Sequence, residues 1–358
     1  MRIAYLVPFR GGRETGIYRK VAEHAAEWTR LGANVGLFVA TDADSVDDWA
    51  SLPSSTRVVG LPSHPAATLA ARESLLKSVR GWSPDVVYAR HGLVHPGLVW
   101  TAARLPTVIE INSNDVTEFA ATSPWRWRYA RTTRDMMLAR SSGLVFVTDE
   151  LRRSVDFDKG PAQRVTVANG IRLDQFPSFE RPSNPTPRLV FIGHPNSPWH
   201  GLEHVVELAV AFPTWTFDVI GPDGSEMAGA PDNLVAHGVM VADEYDEILR
   251  SADVAIGTLG LYSKKMEEAC PLKVREYLAR GIPTIIGYID TDFPEPAPFL
   301  LQVPNSKLGV SSSLDRIADF VDHAGDLGVP TASIQHLDVG AKEVKRLDFL
   351  ESVASTPR

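Results

Sequence analysis

The segment CPLKVREYLARGIPTIIG, residues 270–287, sets a lysine and a glutamate three residues apart just behind a proline. At ~100° per residue, Lys273, Glu276 and Arg280 fall within an arc of roughly 60°, while Val274, Tyr277 and Leu278 centre on another face. Pro271 suits a first helical turn, Gly281 suits the end, and Pro283 prevents continuation, so the spacing predicts a helix over about 271–280. Free backbone N–H groups at the start of such a helix favour an anion, and Lys273 can meet the same anion. A carboxylate one turn further in, Glu276, suits sugar hydroxyls rather than phosphate oxygens. A ribose attached to a phosphate would satisfy both residues. An amphipathic surface helix with a capped end and a solvated charged face accounts for the same pattern, so the decision falls to the rest of the chain.

Other residues able to contact a ligand stand where strands end. FRGGRETG follows the first expected strand, but Gly11, Gly12 and Gly16 do not make G-x-G-x-x-G and no G-K-[ST] follows, so a plain NAD or ATP site is unsupported. Asp42 reads better as a turn residue than as a ribose-binding acid. FIGHPNSPWHG holds the corresponding place in the second half: Gly193 permits close backbone approach, and His194 and His200 can donate to phosphate oxygens or simply occupy turns. Asn169-Gly170 in VANGI is a turn signal first and a ligand contact second. His91, Glu110 and Asn112 also lie at strand ends. The basic, aromatic stretch PWRWRYARTTRDMMLARSS reads as a domain helix with solvated arginines whose Met136–Met137 face must pack, or as a contact for an anionic membrane surface. There is no clustered Cys/His metal pattern, no H-E-x-x-H and no G-x-S-x-G elbow, so hydrolase and metalloenzyme readings lack an anchor.

The elements that must position these residues alternate. RIAYLV, the helical GIYRKVAEHAAEWTRLG and ANVGLFVAT make one βαβ unit, with further strands expected at DVVYA, PTVIEI, GLVFVT and RVTVA. After the proline-rich PSFERPSNPTP the pattern restarts with RLVFIG, TWTFDVIG, NLVAHG and DVAIGTL. The expectation is an α/β protein of two parallel-sheet domains facing a cleft. Its parts are a first domain over 1–176, a linker over 177–187, a second domain over 188–335, and a C-terminal helix over 336–358 able to pack back on the first domain. A chain of 358 residues fits two domains of about this size. With 44% hydrophobic and 22% charged residues it has the composition of a soluble enzyme, and no apolar run approaches the roughly 18 residues a membrane span requires. A net charge of −8 argues against general nucleic-acid binding, and one cysteine excludes an internal disulfide and fits a cytoplasmic setting.

Taken with VANGI and WHGL, the segment at 270–287 resembles the retaining nucleotide-sugar glycosyltransferases of the GT-B fold, above all family 4 (glycosyl transferases group 1). Members often carry P-L-K-x-x-E-Y-x-A-x-G-x-P, matched by Pro271, Leu272, Lys273, Glu276, Tyr277, Ala279, Gly281 and Pro283. Their glutamate pair is matched by Glu268 and Glu276. The resemblance implies two facing Rossmann-like domains, the first for the acceptor and the second for the donor, and hexosyl transfer from a UDP-sugar ahead of a GDP-sugar to a hydroxyl. It implies no metal and no cofactor besides the nucleotide sugar. It implies catalytic roles for His91, Glu268 and Lys273, and donor contacts from Gly12, Asn169, Gly193, His194, His200, Cys270, Leu272, Lys273 and Glu276. Glu110 and Asn112 would contact a saccharide, lipid-linked or small-molecule acceptor, compatible with peripheral contact at the inner membrane surface. Where many members have an Arg and a Lys to neutralise diphosphate, this chain has His194 and His200, a weaker and pH-dependent compensation. A nucleotide-sugar epimerase and a non-catalytic binding or scaffold subunit are the competing expectations.

Overall fold

The computed structural model describes residues 1–194, 197–227 and 229–356. The chain forms two compact units, Met1–Ala168 joined by Val339–Arg358, and Asn169–Asp338.

The first unit is built on seven parallel strands: β1 Arg2–Pro8, β2 Asn34–Thr41, β3 Ser55–Gly60, β4 Val86–Arg90, β5 Thr107–Ile111, β6 Gly143–Phe146 and β7 Arg164–Thr166. Their order is β3-β2-β1-β4-β5-β6-β7. Helices cover both faces, which is why β1, β4 and β5 are near-continuous apolar runs rather than alternating ones. The helix Gly16–Arg30 starts where the Thr15 hydroxyl accepts from Tyr18 N at 3.2 Å, and it buries Val21, Ala25 and Trp28. β3 and the helix Pro65–Gly81 were not legible as a second βα unit.

The C-terminal helix Val339–Ser355 belongs to this unit. Helical spacing sets Val344, Leu347 and Leu350 on one stripe, yet Leu347, Leu350 and Val353 are buried while Val344 is 45% exposed. Glu343 and Arg346 are buried in its place, and Trp28 Nε1 donates to Glu343 Oε2 at 2.7 Å. In the helix Pro124–Arg140 the expected methionine face divides: Met137 packs inward and Met136 is exposed.

The second unit carries β8 Arg188–Ile192, β9 Thr216–Ile220, β10 Leu234–Gly238, β11 Val254–Ile256, β13 Thr284–Ile286 and β15 Leu300–Gln302 in the order β10-β9-β8-β11-β13-β15. A short parallel pair, β12 Glu268–Ala269 and β14 Ile289–Asp290, stands beside it. The order is that of a doubly wound sheet, with its switch point between β8 and β11, and the first unit has its own between β1 and β4. Ligands of such sheets bind beyond the carboxyl ends of the strands at that point.

The proline-rich stretch is not a free linker. Phe179 N donates to Arg280 O at 2.8 Å, Asn184 Nδ2 to Asp253 Oδ2 at 2.9 Å, and Arg181 to the carbonyls of Ala324 and Leu327. These bonds pin 177–187 to the second unit, so the division falls after Ala168 and not at 176–187. Among the described residues no helix is long and apolar enough to cross a membrane.

Candidate functional site

The loop after β8 is shaped by glycine. Gly221 has φ +114°, and a Cβ there would lie 2.0 Å from Gly193 O, so the two loops meet backbone to backbone. Gly201, at φ +78°, ends the turn Pro198–His200 and opens the helix Leu202–Ala211; a Cβ there would lie 2.6 Å from Gly260 N. Between these points His194 N donates to His200 Nδ1 at 3.0 Å. That bond leaves Nδ1 unprotonated and puts the hydrogen of the neutral ring on Nε2. Burial, followed by the charges of Lys273, His194 and Lys264, holds the His200 pKa down at about 2. His200 is therefore a neutral donor across the physiological range, and the pH-dependent compensation expected of it is absent. Pro195 and Asn196 of the same loop lie outside the described residues.

The helix expected over 271–280 spans Leu272–Ala279, with Pro271 as N-cap and Gly281 at φ +83° beyond its end. Its charged residues do not share a solvated face. Arg275 and Glu276 are buried, and each of the three expected stripe residues reaches a different partner. Lys273 Nζ donates to Ile192 O at 2.8 Å and stands 4.2 Å from the Phe191 ring centre. Burial lowers its pKa to about 7, and no carboxylate among the described residues offsets that. Glu276, 1% exposed, accepts from Tyr245 OH at 3.1 and 3.3 Å. Arg280 pairs with Asp246 and lies over Phe176 and Phe179.

Two further contacts lock this helix against the strand end. Ile192 N donates to Tyr277 OH at 2.8 Å, so Tyr277 and Lys273 together clamp the last residue of β8. At the helix start, Asn169 Nδ2 donates to Cys270 O at 2.9 Å and Arg275 Nε to Asn169 O at 3.1 Å. Arg275 itself is bidentate to Asp290 at 2.6 and 2.8 Å and reaches Asp292 at 2.8 Å. Asn169 thus spends its side-chain NH2 on the Cys270 carbonyl and its backbone carbonyl on Arg275, while its Oδ1 is buried without a hydrogen bond. Glu268 lies on β12, two residues before Cys270, and is half-buried. Lys264, from the turn Leu261–Lys264, stacks its ammonium 3.5 Å over Trp199.

The structure therefore gathers Gly193, His194, His200 and Lys273 at the β8 end, with Asn169, Cys270 and Leu272 at the helix start and Glu276 one turn inside. Sequence reasoning missed Lys264, Tyr245 and the buried Arg275. Lys264 sits in an aperiodic stretch, Tyr245 is remote in sequence, and Arg275 is a charge on the side of the helix where apolar residues are expected. Chemically the cluster offers two ammonium groups, one neutral N–H donor and a helix N-terminus, with a buried carboxylate nearby. That set suits a diphosphate joined to a polyol.

The remaining expected residues belong to the first unit. Gly12 N donates to Glu14 Oε1 at 2.8 Å, and a Cβ on it would lie 2.1 Å from Asp48 Oδ2. Asp42 accepts from Gly11 N at 2.7 Å and from Ser45, the turn role expected of it. His91 Nε2 lies 3.2 Å from Asp115 Oδ2, and Arg134 pairs with the same carboxylate at 2.9 Å. Although burial pushes Asp115 up, these two partners hold its pKa well below the usual carboxylate range. Glu110, expected to meet an acceptor, is fully buried: Lys20 Nζ is 2.8 Å from its Oε1, and Arg346 and Arg90 stand at 3.5 and 3.7 Å. Asn112 accepts from the same Lys20 at 2.8 Å. Both residues are committed to an internal charge network, which removes Glu110 from any surface.

Residues 15–170 match the glycosyl transferase 4-like domain family. No curated protein matches the chain by sequence. Among solved structures the chain is similar to sucrose-phosphate synthase from Thermosynechococcus elongatus, at TM-score 0.74 and 14% identity over 99% of each chain. It is similar to a glycosyltransferase from Rickettsia africae ESF-5, at TM-score 0.70 and 13% identity over 99% of this chain and 100% of that one. It is also similar to Anabaena HepE in complex with UDP-glucose, at TM-score 0.66 and 15% identity over 98% of this chain and 100% of that one. At these identities the likeness is one of fold.

Proposed function

We infer that this chain, which belongs to the glycosyl transferase 4-like proteins through residues 15–170 and has the GT-B glycosyltransferase fold, moves a sugar from a nucleotide diphosphate sugar to an acceptor hydroxyl. The donor is a UDP-sugar, with a GDP-sugar next, and the anomeric configuration is retained. HepE, of the same fold, is seen in complex with UDP-glucose, which supports the choice of uridine.

One observation carries the reading. Lys273, half-buried, holds its ammonium at the mouth of the Gly193 loop with a backbone carbonyl, and no carboxylate among the described residues, as its partner. A buried cation without an anion is costly, and a diphosphate at this point supplies the missing charge. In this reading Lys273, Lys264, His200 Nε2–H and the amides that begin the helix Leu272–Ala279 stabilise the leaving diphosphate as its charge develops. Glu276, oriented by Tyr245, accepts from the ribose hydroxyls, and Glu268 orients the sugar. The bond from the anomeric carbon to the diphosphate oxygen breaks. The acceptor oxygen forms its bond on the same face, and its proton passes to an oxygen of the departing diphosphate. The protein needs no resident cofactor in this scheme.

The test is a thermal-shift screen against UDP, GDP, ADP, dTDP and their sugar conjugates, followed by NMR of the anomeric proton in the product. Glu276→Ala should weaken donor binding and Lys273→Ala should chiefly lower turnover. Unchanged kinetics in both variants would sink the assignment.

A further inference from the structure

The helix Pro124–Arg140 has one face that the fold leaves uncovered. Ala130, Arg134, Met137 and Leu138 turn inward, while Trp125, Arg128, Thr132, Met136 and Ala139, spaced by three and four residues within an arc of roughly 80°, are all exposed. Trp125 is 63% and Met136 47% exposed, and their separation in sequence sets them about 16 Å apart along the helix. Arg126, Arg131 and Arg140 flank this stripe and are exposed too. Among the described residues none of Arg126, Arg128, Arg131 and Arg140 makes an ion pair. Arg126 and Arg131 lie over the rings of Trp125 and Trp127 instead, at 5.6 and 4.7 Å. Asp135, the one acidic residue of the helix, leans to the buried Arg134 at 3.9 Å.

Neighbouring elements extend the same surface. The steps from β4 to β5 and from β5 to β6 run one way across the sheet and that from β1 to β2 the other way. Right-handed crossovers therefore put the helices Pro96–Ala102 and Pro124–Arg140 on one face and Gly16–Arg30 on the opposite one. On the shared face Trp100 is 45% exposed, with the guanidinium groups of Arg104 and Arg80 3.7 and 4.2 Å from its ring. Charge is divided between the units as well. Residues 1–168 with 339–358 hold 25 Lys and Arg against 20 Asp and Glu, a net +5, whereas 169–338 hold 11 against 24, a net −13. An acidic chain thus presents a basic first unit, and such asymmetry points to an anionic partner for that unit. Tyr129 OH donates to Val94 O at 2.8 Å, so the N-terminal part of the helix adjoins the loop that follows β4, at the end of the sheet where ligands bind.

We propose that the first unit docks on an anionic phospholipid bilayer through this face, with Trp125 and Met136 entering the headgroup boundary and Arg126, Arg128, Arg131 and Arg140 meeting lipid phosphates. A bilayer takes both kinds of side chain, since tryptophan settles at the polar–apolar boundary and each basic residue near an anionic surface adds to the attraction. A nucleic acid would use the arginines but gives Met136 no apolar phase. The inference stands whether or not the chain transfers a sugar.

The experiment is flotation of the full chain with vesicles of phosphatidylcholine alone and with about 30% phosphatidylglycerol, at about 0.1 M and about 0.5 M salt. The anionic vesicles should bind about ten-fold or more tightly than the neutral ones at the lower salt and release the protein at the higher. Combining Arg126→Gln, Arg128→Gln and Arg131→Gln should lower the binding about 100-fold, and the three corresponding Lys substitutions should keep most of it. Lys345→Gln removes an exposed charge from the C-terminal helix, which packs on Gly16–Arg30 across the sheet, and should change binding less than about two-fold. Trp125→Ala should weaken vesicle binding about five-fold or more while leaving any binding to a short DNA, single- or double-stranded, unchanged. All of these side chains are exposed, so each variant should keep the wild-type melting temperature and loss of binding is not loss of fold. Binding to neither vesicle, equal binding to both, an unaffected triple Gln variant, or DNA bound as tightly as the anionic vesicles overturns the proposal.

Discussion

Lys273 should make donor binding fall with rising pH. Free of ligand, Lys273 is half-buried, and desolvation lowers its pKa to about 7. With a diphosphate beside it the charged form gains a partner, so its pKa in the complex rises. The complex then holds the proton more tightly than the free protein, a proton is taken up on binding, and affinity drops once the free lysine deprotonates. If only the ammonium form binds, the competent fraction is about one half at pH 7 and about one hundredth at pH 9, so Kd should rise roughly fifty-fold across that interval.

UDP-glucose is the ligand to use, because its diphosphate is a diester whose charge does not change in this range. Two neighbours stay silent: His200 is held at about 2, and burial pushes the Cys270 thiol above its ordinary range. Calorimetry at several pH values, in two buffers of different ionisation enthalpy, reports both Kd and the proton uptake. Lys273→Met should bind more weakly at about pH 7 and show a flat profile to about pH 9. The ligand-free protein must behave oppositely. The unfolded chain holds more protons on this lysine between the lowered and ordinary pKa, so this residue's contribution to stability should rise as pH climbs from about 7 toward 10.5. A wild-type Kd that does not change with pH, or a Lys273→Met variant with the same slope, refutes the reasoning.

Three further outcomes are expected. Gly201→Ala combines a φ of +78° with a Cβ 2.6 Å from Gly260 N, and should destabilise the protein by about 3 kcal/mol, seen in calorimetry as a fall of roughly 6–12 °C in the melting step of the second unit. Arg275→Met leaves Asp290 and Asp292 without their buried partner and should cost about 3–5 kcal/mol in urea unfolding, most of which Arg275→Met with Asp290→Leu should restore. Tyr245→Phe removes the hydroxyl that holds Glu276 and should weaken UDP binding about three- to ten-fold while leaving that of inorganic pyrophosphate unchanged, because the effect passes through the ribose contact.

Most strands and the start of the helix Leu272–Ala279 were legible because they follow from local chemistry. Buried parallel strands are apolar runs, and Pro271 and Gly281 bracket a helix whatever surrounds it. The motif also fixed which residues crowd the end of β8. What a helical wheel could not supply was the surroundings of each spoke. Lys273, Glu276 and Arg280 share an arc, yet one meets a strand-end carbonyl, one a tyrosine from the helix Ala242–Arg250 and one Asp246. The same limit explains Glu110 and Val344. Both stand at the expected position on their element, and tertiary packing then buries the carboxylate under Lys20 and leaves the valine in solvent. Burial of charge is a long-range property: Glu343 lies more than three hundred residues from the Trp28 indole that donates to it. The proline-rich stretch failed for a related reason. Proline and polar residues signal the lack of a helix or strand, and they are silent on whether side chains such as Arg181 and Asn184 tie the segment to a neighbouring body. Sequence chemistry thus names the donors and acceptors. Whether each is spent internally or left facing a ligand depends on the charge balance around it, and that balance distinguishes Lys273, which meets no carboxylate among the described residues, from Glu110, which already has its cations.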